Sequence, residues 1–173
     1  GGYRGYYYLM AGLLAVRRGD HATAEALLTQ LATARCVDAA GKLRVQILRA
    51  RASIAMDQPD AEEHSLEALR IASVQHSRPG SYMANLLVRL STHRRIDDWV
   101  SQGTASDAYC WSLLAEEIAA NLDQLGPASL ARVRDEATLR PQRWCSALRL
   151  EVVRGTSASS AAAALLADIG SAE

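Results

Sequence analysis

The chain has 173 residues, no net charge at neutral pH and an apolar fraction of 49%. That length suffices for one domain burying roughly 68–70% of its unfolded surface, and that balance excludes a disordered chain and a generically basic one. No apolar run approaches the ~18 residues of a membrane span, and the opening GGYRGYYYLM lacks the layout of a signal peptide.

Phe is absent and Ala and Leu dominate, which favours helices. The first helix is expected from about Gly5 to Arg18, with Tyr7, Ala11 and Leu14 on one face and Tyr8, Gly12 and Ala15 beside them. Gly12 in a helix interior costs ~1 kcal/mol against Ala, so close approach of a partner helix is expected there. Gly19 ends this helix and Asp20 caps the next, whose Ala24, Leu27, Leu28 and Leu31 form a buried stripe. So short a turn makes the two helices antiparallel.

The stretch from Gly41 to Val74 repeats the pattern of Tyr6 to Ala34 about forty residues on. Gly19-Asp20 pairs with Pro59-Asp60, Gly12 with Ala52 and Ala15 with Ala55. Leu43, Ile47, Ala50 and Ile54, flanked by Val45, Leu48, Ala52 and Ala55, describe a helix packed between neighbours. Asp60 is the candidate N-cap of the helix bearing Leu66, Ala68, Leu69 and Ile71. After the break at Ser77 to Gly80 comes a helix with Met83, Leu86, Leu87 and Leu90 inward.

Ser101 to Ser106 reads as a loop and divides the chain into residues 1–100 and 101–173. Asp107 is expected to cap a helix carrying Leu114, Ile118, Leu122 and Leu125. Gly126-Pro127 opens another, with Leu130, Val133 and Ala137 inward, because a Pro at the first helical position loses no hydrogen bond. Pro141 starts a helix lined by Trp144, Leu148 and Val152, Gly155 stops it, and Ser157 is expected to cap a final Ala-rich helix through Ile169.

Small residues before a Gly-Asp turn, Ala24 after it and Tyr8 four positions before Gly12 resemble a tetratricopeptide repeat. The copy departs from that pattern at His21, Leu28 and Cys36, and His64 stands where Ala24 stands in the first copy. Longer, degenerate repeats of this kind resemble the helical sensor region of large bacterial transcription activators of the LuxR and actinobacterial antibiotic-regulator types. The stretch from Leu113 to Leu148 is similar to the helical connector that follows such repeats. The resemblance implies an all-α fold of antiparallel hairpins stacked as a tetratricopeptide-like solenoid, with a helical C-terminal extension packed on the repeats.

Residues that carry chemistry show no catalytic spacing. His21, His64, His76 and His93 share no i, i+4 relation with one another or with a Cys, so neither metal nor cofactor is expected. Asp97-Asp98, Glu116-Glu117 and Asp135-Glu136 read as solvated helix faces, since adjacent helical residues diverge. Cys145 beside Trp144 reads as a core thiol, and no nucleophile elbow, phosphate loop or dinucleotide fingerprint is present. Three scattered cysteines suit a reducing, cytoplasmic setting. An enzyme is therefore not expected.

Lys42 with Arg49, and Arg44 with Arg51, each lie along one side of a helix. Residues 101–173 hold fewer basic than acidic groups, and the final helix has almost no side chain able to read a base edge, which argues against direct DNA binding. Tyr3, Tyr6, Tyr7 and Tyr8 form either a packed helix with solvated hydroxyls or a binding and dimer surface. Stacked hairpins leave a groove lined by the first helix of each repeat, and Tyr3, Arg4, Tyr7, Tyr8, Arg44 and Arg51 are the candidates for groove or interface. The expectation is a non-catalytic module binding a protein, a peptide segment or a small effector, as the sensor or scaffold of a transcription regulator. The rivals are a direct DNA-binding protein and a small helical enzyme. Neither terminus has the polar cap that helical arrays need, so self-association is also expected.

Overall fold

The computed structural model describes residues 2–33, 38–102 and 114–170. Among them the protein is all-α: ten helices, packed as sequential antiparallel pairs, and no strand. They are α1 (Gly2–Arg18), α2 (His21–Thr33), α3 (Ala39–Ala55), α4 (Ala61–Val74), α5 (Arg78–Ser91), α6 (Ile96–Gln102), α7 (Ala115–Ala119), α8 (Pro127–Leu139), α9 (Pro141–Arg154) and α10 (Ser159–Gly170), with a 3-10 turn at Leu122–Gln124. No described helix is long and apolar enough to cross a membrane. The chain divides into two compact units, Gly1–Arg94 and Arg95–Glu173. Ser101 and Gln102, expected in a loop, are the last residues of α6; residues 103–106 lie outside the described part, as does Asp107.

In the first unit α3 packs against α1, α2, α4 and α5, as its wide apolar arc demands. The buried face of α1 is Gly5, Leu9, Gly12 and Val16 with Ala15 beside them, a spacing of four, three and four that follows the helical period. Tyr7 and Leu14 do share a face, but it is the outward one, and they are 70% and 47% exposed. Gly12 decides the matter: an added Cβ would stand 2.8 Å from Leu28 Cδ2, so only this face lets α2 come close. Leu28, fully buried, fills the space that a side chain at Gly12 would occupy, and its burial stabilises by roughly 1.5–3 kcal/mol.

The turns follow one rule. Helices α1, α3, α4 and α5 each end in a left-handed residue, Gly19 (φ +78°), Asp57 (+51°), His76 (+52°) and His93 (+52°). In each case the left-handed residue's N–H reaches back three positions and the next N–H reaches back five, as in Gly19 N to Val16 O (3.1 Å) with Asp20 N to Ala15 O (2.9 Å). This is the Schellman closure, which satisfies carbonyls the helix leaves open. It corrects the alignment of the two copies. Asp57, not Pro59, is the counterpart of Gly19, and Gln58 and Pro59 are two extra residues before α4. Gly12 therefore aligns with Ala50 in the turn-based register, and Ala50 is fully buried. Asp20 caps α2 through Thr23 N (3.2 Å) and Ser77 caps α5 through Gly80 N (3.2 Å). Asp60 sits at the N-cap position of α4 but makes no side-chain cap; its Oδ2 stands 3.2 Å from His64 Nε2 instead.

In the second unit the N-cap of α8 is Gly126, which has no side chain to cap with. Asp97, on α6, supplies the cap from a distance: its Oδ1 accepts from Gly126 N (2.8 Å) and from Ser129 Oγ (2.5 Å). Asp97 is thus not a solvated bystander, although its neighbour Asp98 is exposed. The Ser129 hydroxyl, then the Gly126 N–H, and lastly the Arg95 guanidinium 3.7 Å away hold the Asp97 carboxyl below its ordinary pKa, against the opposing effect of burial.

Leu114, Ile118, Leu122 and Leu125 are all buried, yet not on one continuous helix. Asn121 turns its amide back to the Glu117 carbonyl (2.8 Å), and a 3-10 turn replaces the helix from Leu122. On α9 Trp144 and Leu148 are buried as expected, but Val152 is 38% exposed and Glu151 is buried in its place. The Glu151 carboxylate accepts from Thr156 Oγ1, and its main-chain carbonyl accepts from Ser159 Oγ at 3.1 Å. Thr156 rather than Ser157 then leads into α10, its Oγ1 accepting from Ala158 N (3.3 Å).

Candidate functional site

A cleft of about 630 Å³ opens in the first unit, within the range of small-molecule sites. Its chemistry comes from two helical stripes. On α3 the spacing 42, 46, 49 places Lys42, Gln46 and Arg49 on one side; on α4 the spacing 63, 67, 70 places Glu63, Glu67 and Arg70 opposite. His64 and Ile71 complete the α4 wall, and Leu31 of α2 and Val45 of α3 supply buried apolar surface.

Two hydrogen bonds pin the antiparallel register across this cleft. At one end Gln75 Nε2 donates to the Ala39 carbonyl (2.6 Å). Toward the other, the buried Gln46 donates Nε2 to the His64 carbonyl (3.1 Å) and lies 3.2 Å from His64 Nδ1. A buried amide tied to the opposite helix in this way holds the walls at fixed separation.

The charges in the cleft are unevenly satisfied. Arg70 donates Nε and Nη2 to the two oxygens of Glu67, each at 2.7 Å. That fork, with the attraction between the two charges, lowers the Glu67 pKa and raises that of Arg70 against the opposing effect of burial. Neither Lys42 nor Arg49 takes part in an ion pair among the described residues. Arg49 Nε is moreover buried without a hydrogen-bond partner there, a condition that costs ~1–3 kcal/mol. The cleft therefore holds three cations against two carboxylates, with one carboxylate already matched.

The residues singled out from the sequence fall elsewhere. The side chains of Tyr3 and Arg4 lie outside the described part of the structure. Tyr7 and Tyr8 are exposed and meet edge to face with ring centres 5.8 Å apart. Arg44 is exposed on α3, and Arg51 is half-buried and held by a contact of its own. Of the described ones, Tyr7, Tyr8, Arg44 and Arg51, none lines the cleft, which gathers the other cation pair of α3, Lys42 with Arg49. The signal for that pair was present in the sequence as a seven-residue spacing. What distinguished it from Arg44 with Arg51 was the position of α4, which no spacing within α3 reports.

Among the histidines, His76 and His93 are left-handed helix-end residues and His64 lines the cleft. No group of three His, Cys, Asp or Glu among the described residues is placed to hold a metal. Cys145 is half-buried next to the fully buried Trp144. Comparison with family models, with curated proteins and with solved structures finds no match to this chain.

Proposed function

We propose that this chain is a non-catalytic binding module, a tetratricopeptide-like helical array serving as the sensor or scaffold part of a bacterial transcription regulator. The observation that carries the binding reading is the cleft among α2, α3 and α4, with a fixed register, an apolar base and cationic groups left unmatched among the described residues. The repeated Schellman closures of α1, α3 and α5 support the array reading, because one turn geometry recurs at intervals close to those of helical repeats. The outward stripe of Tyr7, Met10 and Leu14 on α1 supplies apolar surface for self-association.

A melting-temperature screen of the 173-residue chain against peptides and small effectors tests the reading. A ligand at a hundred times its Kd should stabilise the fold by about 2.7 kcal/mol and be recovered chemically unchanged. Conversion of the ligand, or salt-dependent retention of the chain on duplex DNA, would overturn it in favour of an enzyme or a DNA-binding protein.

A further inference from the structure

We infer that the α3–α4 cleft is a site for a small organic anion, its carboxylate held by Arg49 and Lys42 and its apolar body lying on Leu31, Val45 and Ile71. The inference rests on the binding-module reading and names the ligand class of that site.

The two arginines of the cleft supply the argument. Arg70 donates to Glu67 through a two-point fork, and that pair shows which acceptor a guanidinium in this setting takes. Arg49, also in the lining, carries the same donors with no acceptor among the described residues, and its Nε is buried and unpartnered there. The remaining carboxylate of the lining, Glu63, is exposed and takes part in none of the ion pairs among the described residues. An incoming carboxylate supplies the missing acceptor and offsets the excess of positive charge. Lys42, two turns away on the same side of α3, lies about 10 Å along the axis, and its flexible stem lets the ammonium swing toward the same anion. Gln46, between them, is already committed to His64 and acts as a positioning residue. The apolar side chains select a ligand with a hydrocarbon body over a bare inorganic ion.

Titration of the full chain with octanoate, followed by amide chemical shifts, tests this, with 1-octanol and octylamine as uncharged and cationic analogues. Octanoate should shift amides of α3 and α4 saturably. Arg49→Gln should weaken it by at least about tenfold, and Arg49→Lys, which keeps the charge but loses the fork, by less. Arg18→Gln on α1 should leave the affinity unchanged, and circular dichroism of each variant reports whether it folds. Equal binding of 1-octanol or octylamine, or an Arg49→Gln protein that folds and binds as before, overturns the anion assignment and leaves the binding-module reading standing. Failure of all three probes to move amides of the cleft at millimolar concentration overturns the assignment and removes the main support of that reading as well.

Discussion

The hairpins α1–α2 and α3–α4 share one closing geometry at the end of their first helix and then diverge. Between α1 and α2 the contact is dry: Gly12 admits Leu28, with Leu9, Val16 and Leu31 around it. Between α3 and α4 the inward residues are short or polar, Gln46, Ser53, Ala61, Ser65, Ala68 and Ala72, and the long side chains at the edge are charged. Charged heads keep to water because burying them costs several kcal/mol, so they stand at the edge of a contact that is otherwise as close as that of the first pair, and there they line a cleft. The lesson is that one hairpin geometry is bordered either by closed core or by an open polar cleft according to which side chains stand at the edge of its contact.

Four measurements break or sharpen that contrast. The largest effect belongs to Leu28→Ala, which should cost about 2–5 kcal/mol in chemical denaturation, against less than about 1 kcal/mol for Ser65→Ala, whose hydroxyl only bonds back to Ala61 O within its own helix. Similar costs for both would mean that the two contacts are energetically alike. Next, Gly12→Leu should cost about 1–3 kcal/mol by overpacking, with Gly12→Ala milder because the end of Leu28 can turn aside. Combining Gly12→Leu with Leu28→Ala should cost less than the sum of the two, since the residues share one space. Strict additivity would remove the contact from the account.

Third, His76→Gly should stabilise the protein by about 0.5–1 kcal/mol, because a left-handed conformation strains a residue with a Cβ more than the entropy of glycine costs. A loss of stability would assign the His76 side chain a role beyond ending α4.

The smallest effect at neutral pH is that of Asp97→Asn in the second unit, which keeps an acceptor for the Gly126 N–H. Its signature is pH dependence. The folded pKa of Asp97 is depressed, so its contribution is fully present above the ordinary aspartate range and is lost as pH falls through the lower, folded value. The melting temperature should therefore fall on acidification through and below that range, and fall less in the Asn variant. Parallel curves for the two proteins would show that the carboxylate charge does not stabilise α8.

Local chemistry in the sequence determined the helices themselves, the glycines that close α1 and α9, the prolines that open α8 and α9, and the intimacy of Gly12 with its partner. Each of these is a property of a few adjacent residues or of a helical period. Tertiary structure decided what depends on a second helix. Tyr7 and Leu14 have the period of a buried stripe, yet the face with Gly12 turns inward because only it can meet Leu28. Asp97 caps a helix whose N-cap residue lies twenty-nine residues later, a relation invisible to any local window. Lys42 with Arg49 and Arg44 with Arg51 are equivalent in spacing. Only the packing of α4 against α3 makes the first pair the wall of a cleft, because a helical spacing fixes which side chains share a face but not what that face meets.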